Sequence, residues 1–254
     1  MNRGLFYLLL VSIALLSCSK DNEVIYPEGT LGRYIADLDL PVQRDSLIAC
    51  AASGQDGVLQ NNSNSEISVF FYPPTGADEF RYYELNEISQ SLELNAFTRQ
   101  ELNIESVLNG YLRRFVADIS DKWCLVTFIK NDKLFISDPI RIKGNSQSTN
   151  YNPDGTVISN ASTLSPSFSW NTSITGIDKI YFQIIADATG NLVSGTYTED
   201  RNFTFYDLSN VVLNIRDINP APVLSLNQSY KFVLMSVSDD NLVNTVIDED
   251  FTTN

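Results

Sequence analysis

The chain has 254 residues, among them 31 acidic and 17 basic side chains and no histidine, and its net charge is −14. So acidic a chain argues against nucleic-acid binding, because phosphates are bound by lysine and arginine. The lack of histidine excludes Ser-His-Asp and Cys-His catalytic arrangements and histidine metal sites. A carboxylate pair could still hydrolyse glycosides, but we interpret the acidic clusters as solvated loop tips. The sequence therefore predicts neither an enzyme nor a cofactor.

The N-terminus is typical of a secretory signal, with Arg3 as its positive charge and an apolar run of 12 residues from Leu5 to Leu16. At about 1.5 Å per helical residue the run covers ~18 Å, less than the ~30 Å hydrocarbon core of a membrane. It ends at Leu15-Leu16-Ser17-Cys18, which resembles the lipobox of bacterial lipoproteins. The resemblance implies cleavage of residues 1–17 and acylation of Cys18. An ordinary cleaved signal peptide with an incidental cysteine is the alternative.

Residues 18–32 are predicted as a lipidated tether. Ser19, Lys20 and Asp21 begin a polar stretch that resembles the export signal of Bacteroidetes-type surface lipoproteins. The resemblance implies an outer-membrane lipoprotein exposed on the cell surface, with the periplasmic leaflet as the alternative. The membrane is then a partner through the N-terminal lipid.

Residues 33–144 are predicted to form a first β-sandwich, because short β-branched and aromatic runs recur there without a sustained helical period. Asn131-Asp132-Lys133 predicts a hairpin between its last two strands. Thr98–Glu101 has the form of a capping box, which allows one short helical turn. The predicted strands are Leu47–Ala52, Ile67–Tyr72, Phe80–Leu85, Val107–Val116, Trp123–Ile129 and Leu134–Ile142.

The first domain resembles an immunoglobulin-like sandwich in its two cysteines. Cys50 and Cys124 occupy candidate strands that this family joins by a disulfide, and an exported compartment permits the bond. Lys122 stands where the family has a tyrosine two residues before the second cysteine, which argues against it. Two independent buried thiols are the alternative.

Phe70, Tyr72, Tyr82 and Tyr83 are the candidate binding residues. They lie on two strands that bracket Pro73–Gly76 and are expected to pair. Alternation along the strands turns roughly half of such side chains outward, where tyrosine rings can stack on sugars or accept a partner's side chains. The alternative is that the rings only stabilise the sheet across neighbouring strands.

Residues 145–162 are rich in Asn, Ser and Thr and are predicted as a linker, with the second sandwich beginning as early as Thr156. Asn150–Gly155 partly resembles a calcium loop, but Ala161 stands where the bidentate glutamate is expected. Asn-Pro-Asp-Gly is also a good turn sequence. We interpret the segment as a turn and predict no metal site.

Residues 163–254 carry the most specific pattern of the chain. Phe168 and Trp170 alternate on one face of a strand, and Leu224 precedes Tyr230 by six residues. This resembles the fibronectin type III pattern. The resemblance implies a buried Trp170 and a tyrosine corner, in which the Tyr230 hydroxyl bonds to backbone a few residues upstream.

The predicted fold class is therefore all-β, with two tandem immunoglobulin/fibronectin type III-like β-sandwiches behind a signal peptide and a tether. The function expected of it is that of a non-enzymatic surface lipoprotein, a binding or accessory module. It is similar to the multi-sandwich lipoproteins that accompany outer-membrane glycan uptake, which implies glycan capture. The alternative is a structural or assembly component of an outer-membrane complex that recognises protein.

Overall fold

In a computed structural model of the chain, the described residues include one α-helix, α1 (Leu31–Leu38), and strands that form four sheets. Within the part of the chain that the structure describes, each helix is too short or too polar to span a membrane. The signal peptide, Cys18 and Ser19-Lys20-Asp21 lie outside the described part of the chain. The described residues are 26–53, 66–88, 90–151, 156–159, 163–171, 177–214 and 222–254.

The first half of the chain forms two facing sheets, with strands numbered along the chain. Sheet 1 has the order β1-β9-β8-β4-β5, and β10 also pairs with β8; sheet 2 has the order β2-β3-β7-β6. Sheet 1 contains β1 (Val42–Leu47), β4 (Asp78–Leu85), β5 (Thr98–Gln100), β8 (Asp121–Lys130), β9 (Lys133–Ser137) and β10 (Ile140–Lys143). Sheet 2 contains β2 (Ala49–Ser53), β3 (Glu66–Phe71), β6 (Ile104–Val107) and β7 (Leu112–Asp118).

The second half forms another pair. Sheet 3 has the order β11-β19-β18-β14-β15-β17, and sheet 4 the order β12-β13-β16. The predicted all-β fold of two sandwiches is confirmed. Sheet 3 contains β11 (Asn150–Tyr151), β14 (Asp178–Asp187), β15 (Leu192–Thr198), β17 (Val211–Asn214), β18 (Ser229–Ser238) and β19 (Val243–Thr252). Sheet 4 contains β12 (Thr156–Ser159), β13 (Ser167–Trp170) and β16 (Asn202–Thr204).

The four sheets stack in the order 1-2-3-4, so that three apolar layers lie between them. The middle layer, between sheets 2 and 3, joins the two sandwiches into one body. Sheets 2 and 3 are therefore covered on both faces, and β2, β3, β14 and β18 carry unbroken runs of buried residues. The first layer includes Val69, Phe71, Phe115, Val126 and Phe128, the middle layer Phe70, Leu112, Phe182, Val233 and Met235, and the third Phe168, Trp170, Ile185, Phe232 and Ile247.

The turn between β18 and β19 locks the sandwiches together. Leu242 in this turn is 1% exposed and packs into the layer between sheets 1 and 2, which otherwise consists of residues of the first sandwich. The Ala51 N–H donates to the Asn241 carbonyl at 3.0 Å, and the Arg141 N–H donates to the Asp240 carbonyl at 2.8 Å. An apolar contact and backbone hydrogen bonds thus fix the same junction.

The predicted linker 145–162 contributes two strands to the second sandwich. β11 pairs in parallel with β19, and β12 pairs antiparallel with β13. Just before β11, the buried Thr149 hydroxyl accepts from the Ser53 N–H at 2.9 Å and donates to the Val243 carbonyl at 2.9 Å. The polar side chains of the segment hydrogen-bond to both sandwiches. Its composition therefore resembled that of a linker, although the segment is part of the fold. Residues 152–155 of the calcium-like sequence lie outside the described residues.

The predicted tether 18–32 ends inside helix α1, which the sequence analysis missed. Thr30 caps the helix by accepting from the Arg33 N–H at 3.2 Å. Tyr34 and Ile35 pack with Tyr83 and Phe97 in a cluster on the outer face of sheet 1. The first unit therefore begins before residue 33, and a helix covers the sheet face that alternation would leave to solvent.

Two local predictions had opposite outcomes. The hairpin at Asn131 and Asp132 is confirmed, since β8 pairs antiparallel with β9 and both turn residues have φ near the left-handed region, at 50° and 55°. The capping-box prediction at Thr98–Glu101 is wrong, because Thr98–Gln100 forms β5 against β4. A short 3₁₀ turn lies just before it, at Leu94–Ala96.

The fibronectin-like features of the second sandwich are present as predicted. Trp170 and Leu224 are buried, and Trp170 packs edge-on against Tyr181 at 5.4 Å between ring centroids. The Ser225 N–H donates to the Tyr230 hydroxyl at 2.8 Å, five residues upstream of the ring. This bond is the tyrosine corner that the sequence pattern implied.

Candidate functional site

Three of the four aromatic residues predicted to bind a ligand are core residues. Phe70 is buried in the middle layer, Tyr82 in the first layer and Tyr83 beneath α1. The strands that carry them do not pair, because β3 belongs to sheet 2 and β4 to sheet 1. The prediction is wrong for these three residues, since both faces of each strand are covered.

Tyr72 is the member of the set that stays accessible, and it lines a cleft of about 460 Å³ at one end of the first sandwich. We call this the aromatic cleft. One wall is the β3–β4 connection, which crosses from sheet 2 to sheet 1, and the other is the β6–β7 turn. Its lining residues are Tyr72, Pro73, Pro74, Thr75, Gly76, Ala77, Phe80, Asn109, Gly110, Tyr111 and Arg113.

Local backbone chemistry shapes both walls of the aromatic cleft. Two successive prolines stiffen the start of the first wall, and Gly76 provides a left-handed turn with φ +84°. In the other wall Asn109 and Gly110 have φ values of 53° and 90°. The Asn109 side-chain amide donates to the Asn191 side-chain oxygen in the β14–β15 turn of the second sandwich. Both sandwiches therefore hold this wall in place.

Arg113 is the charged residue of the aromatic cleft. Its guanidinium carbon lies 4.5 Å from the centre of the Phe80 ring, which is cation–π geometry. Its Nε is buried and has no hydrogen-bond partner, and no carboxylate within the described ranges pairs with it. The next residue, Arg114, points to the opposite face and pairs with Glu105 at 2.6 Å.

Tyr72 and Tyr111 provide flat rings at the mouth of the aromatic cleft. Burial, and to a lesser extent the neighbouring Tyr111, raises the pKa of the Tyr72 hydroxyl, so that it is neutral at physiological pH. A neutral phenol can both donate and accept a hydrogen bond. The aromatic cleft therefore combines amphipathic rings with one guanidinium, and no carboxylate is found among its described lining residues.

Sequence reasoning missed Tyr111 and Arg113 as lining residues. The two walls are some thirty residues apart in the chain. They meet because the β3–β4 connection and the β6–β7 turn lie at the same end of the first sandwich. The sequence feature that marked this region was the proline pair that directly follows Tyr72.

A second cleft, of about 560 Å³, lies between the two sandwiches. Trp123 is half-buried and lines it, with the Arg141 guanidinium 5.6 Å from its ring. Lys179 lies in the same cleft and pairs with Asp239 at 2.7 Å. The single basic residue among the described lining residues of this cleft is therefore already paired with an acid, so we place the candidate site in the aromatic cleft instead. No group of side chains in the described ranges has the make-up of a metal site.

No protein-family model matches the chain, and no curated protein matches it. Solved structures that do match include a segment of two fibronectin type III domains from chicken tenascin, with 14% identity and a TM-score of 0.30 over 74% of this chain and 93% of that one. The FN1–FN3 domains of chicken CNTN1 match with 13% identity and a TM-score of 0.28 over 82% of this chain and 67% of that one. These matches concern the fold and say nothing about a ligand.

The disulfide predicted between Cys50 and Cys124 is absent, and both residues are buried free thiols. Cys50 faces the middle layer, whereas Cys124 faces the layer between sheets 1 and 2. Sheet 2 therefore separates the two sulfur atoms. Burial raises the pKa of each thiol to about 12, so both are protonated and behave as small core hydrophobes.

Proposed function

We propose that this chain is a non-enzymatic, lipid-anchored protein of the outer-membrane surface that captures glycans in the aromatic cleft. Cys18 would carry the lipid, and Ser19-Lys20-Asp21 would direct the protein to the outer leaflet. The joined sandwiches would then hold the cleft at a defined orientation beyond the tether. The observation that carries the proposal is that Tyr72, Tyr111 and Arg113 line the same open cleft.

Sugar recognition fits the chemistry of this cleft. Sugar rings have one apolar face and a rim of hydroxyls, so they suit an aromatic platform flanked by groups that donate and accept hydrogen bonds. Tyr72, Tyr111, Asn109 and Thr75 supply such groups around the rings. Because both walls are tied to the sheets, the free and bound shapes are expected to be similar, which reduces the entropic cost of binding.

Affinity electrophoresis of the mature protein in gels that contain plant, algal or host polysaccharides tests the glycan proposal. We expect retardation in at least one gel, and the Tyr111→Ala substitution should weaken it by at least about tenfold in Kd, because stacking area is lost. Tyr206→Ala is the matched control, since Tyr111 and Tyr206 are both 37% exposed and Tyr206 lies far from the aromatic cleft, in the second sandwich. Retardation that Tyr111→Ala leaves unchanged would contradict the proposal. The absence of retardation in every gel would favour an assembly component that recognises protein.

The anchor is tested in the producing bacterium by labelling with a palmitate analogue. We expect the label on the wild-type chain and its loss in Cys18→Ala, because the thioether and the new N-terminal amine both belong to this residue. Protease treatment of intact cells should digest the wild-type protein if it faces outward. A labelled chain that is protected from protease would place it in the periplasmic leaflet instead.

A further inference from the structure

The charge of Arg113 is not neutralised by the protein around it. Five other described arginines pair with carboxylates, and Arg201 donates to the Tyr181 hydroxyl; the five are Arg33, Arg81, Arg99, Arg114 and Arg141. Arg113 instead rests on the Phe80 ring at one end of a cleft whose described lining residues include no acid. Within the described residues, Arg113 is thus left without a carboxylate partner.

The Nε of Arg113 is out of contact with water and without an acceptor. A buried donor that lacks a partner is costly, and native proteins rarely keep one without a reason. A guanidinium that stacks through its face leaves its N–H edges free, and these edges match the two oxygens of a carboxylate. Because Nε is closed to solvent, a ligand in the cleft would meet the Nη edge of the guanidinium, and the partner that fits this edge is a planar anion lying in the plane of the group.

The structure assigns the missing anion to the ligand: we propose that the aromatic cleft selects acidic glycans, and that Arg113 binds the carboxylate of a uronic acid residue. This inference rests on the proposed function and narrows it to one class of sugar. Tyr72 and Tyr111 would stack on the sugar rings, while Arg113 would pair with the charged group at C6. The cation–π contact with Phe80 holds the guanidinium ready before the ligand arrives.

Trigalacturonic acid and its methyl ester test the inference, because they share rings and length and differ only at C6, where a neutral methyl ester replaces the carboxylate. Isothermal titration calorimetry of the mature protein should show the acid bound at least about tenfold more tightly than the ester, and more weakly as salt is added. Arg113→Gln should remove the preference and leave the residual affinity for the ester. Arg113→Lys should retain only part of the preference, because an ammonium lacks the planar fork.

Arg99→Gln is the matched control, since Arg99 lies on β5 and pairs with Glu101 at 2.9 Å away from the aromatic cleft; it should bind like wild type. If Arg113→Gln does not fold, the partial loss of preference expected for Arg113→Lys tests the inference instead. Equal affinity of wild type for acid and ester would overturn the inference while leaving glycan capture intact, provided that Tyr111→Ala weakens both. If no glycan binds but an acidic peptide does so through Arg113, both proposals are overturned.

Discussion

Replacing Leu242 by aspartate should uncouple the two sandwiches and lower the free energy of unfolding by at least about 4 kcal/mol. Leu242 belongs to the second sandwich by sequence but is 1% exposed within a layer of the first. The substitution removes an apolar side chain from a close-packed layer and places a carboxylate among apolar side chains. The β18–β19 turn is then expected to lose its contact with the layer between sheets 1 and 2.

The two tryptophans make this result measurable, because Trp123 lies in the first sandwich and Trp170 in the second. Urea unfolding followed by fluorescence of the Trp123→Phe and Trp170→Phe variants reports each sandwich separately. In the wild-type background the two transitions should coincide, since the middle layer is shared, and Leu242→Asp should separate them. Leu226→Asp is the control, because Leu226 is 55% exposed. Coincident transitions with an unchanged midpoint in Leu242→Asp would contradict the coupling.

Replacing Glu84 by glutamine should destabilise the first sandwich by about 3–5 kcal/mol. Lys122 is 1% exposed between sheets 1 and 2, and its Nζ donates to Glu84 at 2.8 Å and to Asp118 at 3.0 Å. The Asp118 side chain is 75% exposed, so Glu84 supplies the buried part of the compensation. Without that carboxylate the ammonium remains in the core with only a solvent-screened partner. Urea unfolding near neutral pH measures the loss.

Two further variants distinguish a lost ion pair from a general defect in packing. The double variant Glu84→Leu with Lys122→Met should recover most of the lost stability, because apolar residues of similar volume replace a buried pair at little cost. Arg99→Gln, which breaks an exposed pair, should cost less than about 1 kcal/mol. A double variant as unstable as Glu84→Gln would contradict the electrostatic explanation.

The same pair predicts a pH dependence. Burial would lower the pKa of Lys122, but the hydrogen bonds to Glu84 and Asp118 outweigh it and raise the pKa above its usual 10.5. A raised pKa in the folded state means that the stabilisation is fully present below pH 10.5 and is lost as the pH rises through the folded value. The difference in stability between wild type and Glu84→Gln should therefore shrink as the pH rises through the folded pKa of Lys122.

Features that depend on neighbouring residues could be read from the sequence. The left-handed turn at Asn131-Asp132 and the tyrosine corner at Tyr230 need only the right residue types at short spacing, and both are present. Helix α1 was readable as well, because Leu31, Tyr34, Ile35 and Leu38 follow helical spacing and Thr30 provides the cap. It was missed because the polar residues before it favoured a tether that extends to residue 32.

Other features depended on which sheet faces meet. Lys122 stands two residues before Cys124, where an immunoglobulin domain has a tyrosine, and no local pattern showed that it faces inward between Glu84 and Asp118. Cys50 and Cys124 lie on strands suited to a disulfide, but their side chains face different layers. Period-two alternation tells which residues share a face and does not tell what covers that face.

The sequence by itself determined the all-β class, the two sandwiches and the absence of histidine chemistry, since these follow from composition, strand periodicity and local turns. The tyrosine corner came from the resemblance of the second half to the fibronectin type III pattern. Only the tertiary structure decided that sheets 2 and 3 share a layer, which buried Phe70 and Cys50, and that α1 covers Tyr83. It also decided the aromatic cleft, because Tyr72 and Arg113 meet where the chain crosses between sheets. Long-range stacking of sheets set these contacts, and a local sequence pattern carries no information about it.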